Sequence, residues 1–234
     1  MTEEEKDSRS PAFIKKDSFS GNFEAIIRAE ITNRSKISPV MTSLNPSNIT
    51  ECPRKLAYQI MENRTNKVSD YLSLSSDIFT KKKWMEYFRK FKGIKLVEEN
   101  LTASECNCNI SGVLDAVIQI DDINIATQIF VVRSDEFLEI QKEGALKRHV
   151  IEVLIYMWLT ELKNGLLIYE NSNTHEYLSF HIEPYKPIIT SVQKKCLLLM
   201  EGKIRGQLPE QPYKNRNGNE CKKCEYLKTC WNKE

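Results

Sequence analysis

Four cysteines, one near the start and three at the end, carry the strongest chemical signal in this chain. Cys221, Cys224 and Cys230 follow a CxxC pattern, then five residues, then a third cysteine. Two thiolates three residues apart grip one metal or cluster from a tight turn, and a third soon after adds a ligand. Soft thiolates suit zinc or an iron–sulfur cluster and suit magnesium or calcium poorly. Three sulfurs need a fourth partner, and Cys52, in the stretch Thr50 to Tyr58, is the best candidate. The spacing therefore predicts a bound group that joins the two ends of one domain, with zinc and an iron–sulfur cluster equally compatible with it. Cys106 and Cys108 read as a loop or strand pair without a ligand role. Cys196, on the apolar run Cys196 to Met200, reads as core.

The composition places these thiols in a reducing compartment. Seven cysteines in 234 residues, behind the acidic start Met1-Thr2-Glu3-Glu4-Glu5, show no secretory pattern. The longest apolar run, Val153 to Leu159, is too short to span a bilayer. The expectation is a cytoplasmic protein with no membrane contact. Hydrophobic residues at 41% and charged residues at 28% are ordinary for a globular chain, and the net charge of +2 excludes little.

The elements that must position the cysteines read as an α/β arrangement. Residues 1–40 are polar and charged and read as a largely flexible tail. Phe23, Ile26, Ile27 and Ile31 within it make a short helix at 22–32, packed on its own domain or on a partner protein. Residues 41–234 read as one domain, with 205–234 its cysteine-bearing module. Ser47 or Asn48 caps a helix carrying Cys52, Leu56, Ala57 and Ile60. From Ile78 to Lys95, Trp84, Tyr87, Phe88 and Phe91 form one helical stripe among Lys81, Lys82, Lys83, Arg89, Lys90, Lys92 and Lys95. That stripe reads as core under a solvated face, and the basic face still offers a track for a nucleic-acid backbone. Leu96 to Ile129 reads as strands turning at Asp121 to Asn124, with the return strand running from Ile125 to Val132. A helix over Lys142 to Leu162 with Gly165 near its C-cap follows. Then come strands at Leu166 to Tyr169 and Glu176 to Ile182, and a last helix from Pro187 to Lys203.

In this order the residues resemble the RecB-like branch of the PD-(D/E)XK nucleases, in particular the small iron–sulfur exonucleases associated with CRISPR adaptation and their stand-alone viral relatives. The resemblance spans roughly residues 43 to 231. It rests on Cys52-Pro53-Arg54-Lys55, on Gly112-x-x-Asp115 and the following hairpin, on Glu152 and Tyr156 at the Gln-x-x-x-Tyr position, on the Gly206 to Pro209 loop, and on Cys221, Cys224 and Cys230. It implies a restriction-endonuclease-like mixed sheet flanked by helices, with an iron–sulfur module joining the N- and C-terminal segments. It also favours a structural 4Fe-4S cluster over zinc at Cys52, Cys221, Cys224 and Cys230.

The family's catalytic pattern is broken. Asp115 matches the first acidic residue, but Gln128 and Phe130 occupy the Glu and Lys positions of Glu-x-Lys, and the upstream histidine is missing around Ser76 to Lys81. Gln supplies no charge for a hard cation, and Phe cannot hydrogen-bond. The expectation is a nuclease scaffold without nuclease activity that binds DNA. Lys81, Lys82, Lys83, Arg89, Lys90, Lys222 and Lys223 are the candidate phosphate contacts, and replication, recombination or transcription is the setting, in a host cytoplasm if the protein is viral. Two alternatives stand beside it. One is an active exonuclease using Mg or Mn, with its site rebuilt from Asp115 and Glu152 and with Arg133 or a lysine from Lys81 to Lys83 as the cation. The other is a dead nuclease domain that docks on a protein partner through the N-terminal tail. His149, His175 and His181 have no assigned role.

Overall fold

A two-residue turn at Asp121 and Asp122 sets the centre of the sheet. Both residues have positive φ, 47° and 63°, the conformation that matches the twist of a hairpin. The turn folds β2 (Ile110–Ile120) back on β3 (Ile123–Val132). β1 (Lys95–Glu105) precedes them and pairs antiparallel with β2. Its turn, Cys106 to Asn109, is held by the Glu105 carboxylate, which accepts the Asn107 and Cys108 N–H groups at 3.1 and 2.6 Å. The structure, a computed structural model, describes residues 43–62 and 70–231, with side chains from residue 77 onward in the second stretch. The helix expected at 22–32 and the tail to residue 40 lie outside the described residues.

After β3 the chain crosses over through two helices, α3 (Ser134–Glu143) and α4 (Lys147–Leu159), to β4 (Gly165–Asn171), which pairs parallel with β3. β5 (Tyr177–Ile182) then returns antiparallel. The result is one five-stranded mixed sheet in the order β1-β2-β3-β4-β5. β4 is buried along nearly its whole length, as a strand covered on both faces must be.

α1 (Pro53–Glu62) and α2 (Asp70–Lys90) precede the sheet. α5 (Lys186–Arg205) and the short α6 (Asn219–Lys222) and α7 (Leu227–Trp231) follow it. Trp84, Met85 and Phe88 of α2 pack with Ala116, Ile118, Ile129 and Ile168 of the sheet. α4 packs with the strands through Val153, Leu154, Tyr156 and Met157. Ile155, from the same helix, joins Leu44, Leu56, Ile60, Val192 and Leu199 in a further cluster that ties α1 to α5. Among the described residues no helix is long and apolar enough to cross a membrane.

Three expected boundaries move. The helix foreseen over Lys142 to Leu162 starts only at Lys147, and an unforeseen helix, α3, precedes it; the two are separated at Gly144, whose φ of 95° suits glycine. Cys52 stands just before its helix. Pro53 opens α1, as a residue with no N–H to satisfy does well there, and the Cys52 carbonyl accepts the Leu56 N–H at 3.1 Å. Gly165 is no helix cap: it starts β4, where an added Cβ would come within 2.6 Å of Met157 Sδ and 2.7 Å of Val153 Cγ1. That glycine lets the strand sit directly on α4.

Candidate functional site

The β2–β3 ladder ends at Ala116↔Thr127, and beyond it side chains replace the backbone pairing. The Ile129 N–H donates to Asp115 Oδ2 at 2.8 Å, and the Asp115 N–H donates to Gln128 Oε1 at 3.1 Å. The Gln128 amide reaches on to Glu152 Oε1 of α4 at 3.3 Å. From the other side, Lys81 of α2 donates to Asp115 Oδ1 at 2.7 Å. Asp115, Gln128 and Glu152 are 6%, 4% and 4% exposed. The fork thus gathers Asp115, Gln128, Glu152 and Lys81, with Asp77 one helical turn before Lys81.

The electrostatics follow from burial. Burial raises the Glu152 carboxyl from its usual 4.5 to about 7, against the pull of Lys81 and with a push from Asp115. Burial also raises Asp115, with Lys81 and the Ile129 N–H pulling it back down. Asp77 is raised by burial and by Asp115, and lowered by Lys81. The three carboxyls and the one ammonium therefore form a single electrostatic unit. Tyr156 borders it, and its hydroxyl would meet a Cβ on Gly112 at 2.5 Å. This close approach gives the Gly112-x-x-Asp115 spacing and Tyr156 a common physical reason.

A divalent metal does not fit this arrangement. Gln128 brings no charge, and an ammonium already sits on Asp115. Phe130, at the expected lysine position, stacks on His149 with ring centroids 3.7 Å apart and planes 12° apart. His149, whose imidazole burial pushes down to about 3, shares a 3.0 Å hydrogen bond between Nδ1 and the Tyr169 hydroxyl. Among the described residues no group of three or more His, Cys, Asp or Glu side chains is placed to hold a metal ion.

The cysteines form a second centre. Cys52, Cys221, Cys224 and Cys230 line one cavity with Arg54, Tyr58, Gln211, Tyr213, Tyr226 and Trp231. Its walls are fastened on both sides. Tyr58 of α1 stacks on Tyr226 at 4.9 Å, Arg54 donates to the Pro209 carbonyl at 3.3 Å, and Gln211 donates to Cys230 Sγ at 3.8 Å. Lys195 of α5 donates to the Ile49 and Glu51 carbonyls at 2.6 Å each, fixing the stretch that leads into Cys52. All four thiols are free of disulfides. Four thiols are the donor type that soft metals and clusters take; the lining also holds Lys55 and Glu220, and among the described residues the sulfurs are not drawn together as a metal-holding group.

The expected phosphate contacts divide. Lys82, Lys222 and Lys223 are exposed. Lys81 serves the acidic centre. Lys83 is drawn to Glu170, which is 1% exposed and also accepts Trp84 Nε1–H at 2.6 Å, with His175 Nδ1 at 2.9 Å. Arg89 bonds Glu86 and Glu99 at 2.6 Å each, and Lys90 lies 3.9 Å from Glu86. A lysine from Lys81 to Lys83 beside Asp115 and Glu152 is what the active-site alternative expects, and Lys81 takes that place, whereas Arg133 pairs with Asp135. The pairing of Lys83 with Glu170, the Glu170 network with His175, and the part played by Asp77 were missed in the sequence. Asp77 had a signal, since it lies in the stretch where the resembled family carries its histidine.

The fold is similar to that of exonucleases. A protein named SSO0001 superposes with a TM-score of 0.55 at 19% identity, over 91% of this chain and 97% of that one. The alkaline exonuclease LHK-Exo from Laribacter hongkongensis also gives 0.55, at 10% identity over 71% of this chain and 90% of that one. LHK-Exo has a further structure in complex with dAMP. No protein-family model matches the chain, and no curated protein sequence matches it. What this defines is the fold: a mixed α/β architecture similar to that of the alkaline exonuclease LHK-Exo.

Proposed function

We propose that this chain is a nuclease-fold protein that binds DNA without cutting it, and that its four converging cysteines hold an iron–sulfur cluster. The observation that carries the first part is the state of the strand fork. The two positions that should supply catalytic charge hold a neutral amide bonded to Glu152 and a phenyl ring stacked on His149. The exonuclease fold, met in LHK-Exo with a bound nucleotide, supports a nucleic-acid ligand. Lys82, Lys222 and Lys223 are the exposed cations for its phosphates, and such contacts lose affinity steeply with salt.

Four thiols from distant parts of the chain, meeting at one cavity, support the cluster. Zinc suits four thiols equally well, and the resemblance to the iron–sulfur exonucleases is what favours the cluster. Its contribution is structural: it would clamp α1 to the C-terminal module. Replication, recombination or transcription is the setting this binding role suits.

Labelled single-stranded DNA, followed by anisotropy over a salt series and by gel after incubation with Mg or Mn, tests the reading. Salt-sensitive binding with intact DNA is expected. Iron and acid-labile sulfide in anaerobically purified protein test the cluster, and zinc in their place overturns it.

A second reading has one observation in its favour. Lys81 and Glu152 converge on Asp115, as they would in an exonuclease whose lysine and glutamate had moved to neighbouring helices. DNA cleavage abolished by Asp115→Ala would establish it.

A further inference from the structure

We propose that the Lys81 ammonium stands in for the divalent cation of the resembled nucleases, so that the acidic centre excludes metal because its cation is already built in. The inference rests on the reading of a nuclease fold that binds without cutting, and it names what holds that centre together.

Two deeply buried carboxyls, Asp115 and Glu152, with Asp77 close enough to feel Asp115, cannot all stay charged without a counter-charge. In a metal-dependent site the counter-charge is the cation. Here Lys81 stands at that place, ion-paired with Asp115 and one helical turn after Asp77. Its nitrogen lies 2.7 Å from Asp115 Oδ1, while Oδ2 is taken by the Ile129 N–H. A magnesium-like ion seeks carboxylate oxygens at about 2.0–2.1 Å and tolerates little distortion. To reach Oδ1 it would have to displace the ammonium, and to reach Oδ2 it would have to displace the Ile129 N–H.

Lys81 is not a passing surface side chain. Three and seven residues on, Trp84 and Phe88 are buried against the sheet, and Lys83 is fastened to Glu170. These anchors fix the rotation of α2 and hold position 81 over the fork. Asp77 stands four residues earlier on the same helix, the spacing at which an acid supports a following lysine. The neutral Gln128 completes the exchange. A monovalent cation replaces a divalent one, and one acidic ligand becomes an amide that bridges Asp115 and Glu152.

Calorimetric and EPR titrations of Mn2+ into the intact chain test the proposal, using wild type, Lys81→Gln, Lys81→Arg and the double variant Lys81→Gln/Asp115→Asn. Wild type and Lys81→Arg should show no Mn2+ binding that depends on Asp115. Lys81→Gln should gain a site at least about tenfold tighter, with a Mn2+-dependent rise in melting temperature. The double variant should lose it. Mn2+ binding by wild type as tight as that of Lys81→Gln overturns the proposal, as does a Lys81→Gln protein that folds and gains nothing. If Lys81→Gln does not fold without metal, rescue of folding by Mn2+ supports the proposal. If it folds in neither condition, wild type and Asp115→Asn decide it: a Mn2+ site present in the first and absent in the second overturns it, and none in either supports it. Metal binding by wild type without cleavage sinks this inference alone, whereas Mn2+-dependent cleavage sinks the non-cutting reading as well.

Discussion

The ring of Phe130 lies flat on the imidazole of His149, 3.7 Å between centroids, and Tyr169 closes the group through its hydroxyl on His149 Nδ1. The position that would carry a catalytic lysine is therefore a packing position, coupled to α4 and β4. Truncating it to Phe130→Ala should cost about 3 kcal/mol. Phe130→Lys should be destabilised to a similar degree without gaining cleavage, because Gln128 and Lys81 are unchanged. Urea unfolding measures both, and an unshifted midpoint would show the stack to be dispensable.

Glu152 makes stability depend on pH in a direction set by its burial. Its carboxyl is raised from 4.5 to about 7, so the folded state holds the proton more tightly than the unfolded state. That contribution is fully present below about pH 4.5 and is lost as pH rises through about 7. Glu152→Gln is neutral throughout. Wild type should therefore lose about 3 kcal/mol relative to Glu152→Gln across that window. Denaturation of both proteins at stepped pH checks it, and a pH-independent difference would contradict the burial argument.

Lys83 and the Lys222/Lys223 pair should respond oppositely to neutralisation. Lys83→Met leaves the buried Glu170 with Trp84 and His175 only. The cost should be about 2 kcal/mol of stability, less than for a wholly buried pair because Lys83 is partly in water. Lys222→Gln with Lys223→Gln should leave stability within about 0.5 kcal/mol and weaken DNA binding, reducing the salt slope by about one for each phosphate no longer neutralised. Equal DNA affinity in the double variant would move the interface elsewhere.

Thiol reactivity should sort the remaining cysteines. Cys106 is exposed on the β1–β2 turn, whereas Cys108 and Cys196 are buried against one another. Burial pushes the Cys108 thiol up to about 12 and the Cys196 thiol up to about 11. Only thiolates alkylate readily. Native protein treated with iodoacetamide should be labelled at Cys106 well before Cys108 or Cys196, as read by peptide mass spectrometry.

Much of the sheet was legible because alternation and turn residues act locally. Ser111 to Ile120, the Asp121 turn and the return to Val132 could be placed from side-chain type alone. The break at Gly144 was hidden because the apolar pattern runs on through α4. Spacing alone singled out the four cysteines that line one cavity, since ligand chemistry restricts residue type and separation together. The acidic centre was half legible. Asp115, Gln128 and Glu152 stood out by pattern, and a lysine from Lys81 to Lys83 was expected beside them only if the site were active; otherwise Lys81 and Lys83 looked like members of one basic face. Whether a lysine faces phosphate or a buried acid depends on what lies opposite it: Asp115 and Glu170, each distant in sequence. Helical periodicity carries no information about that.

Because Cys52 and Cys230 bracket the whole sheet, the four-thiol cavity also sets an order of events during synthesis. Translation runs from the N-terminus, so the strands and α4 have been made while Cys52 still has no companions. The other three sulfurs arrive only after the sheet and α5 have been translated. A group bridging Cys52 to the other three sulfurs would therefore be completed only once Cys230 has been translated, closing the domain last.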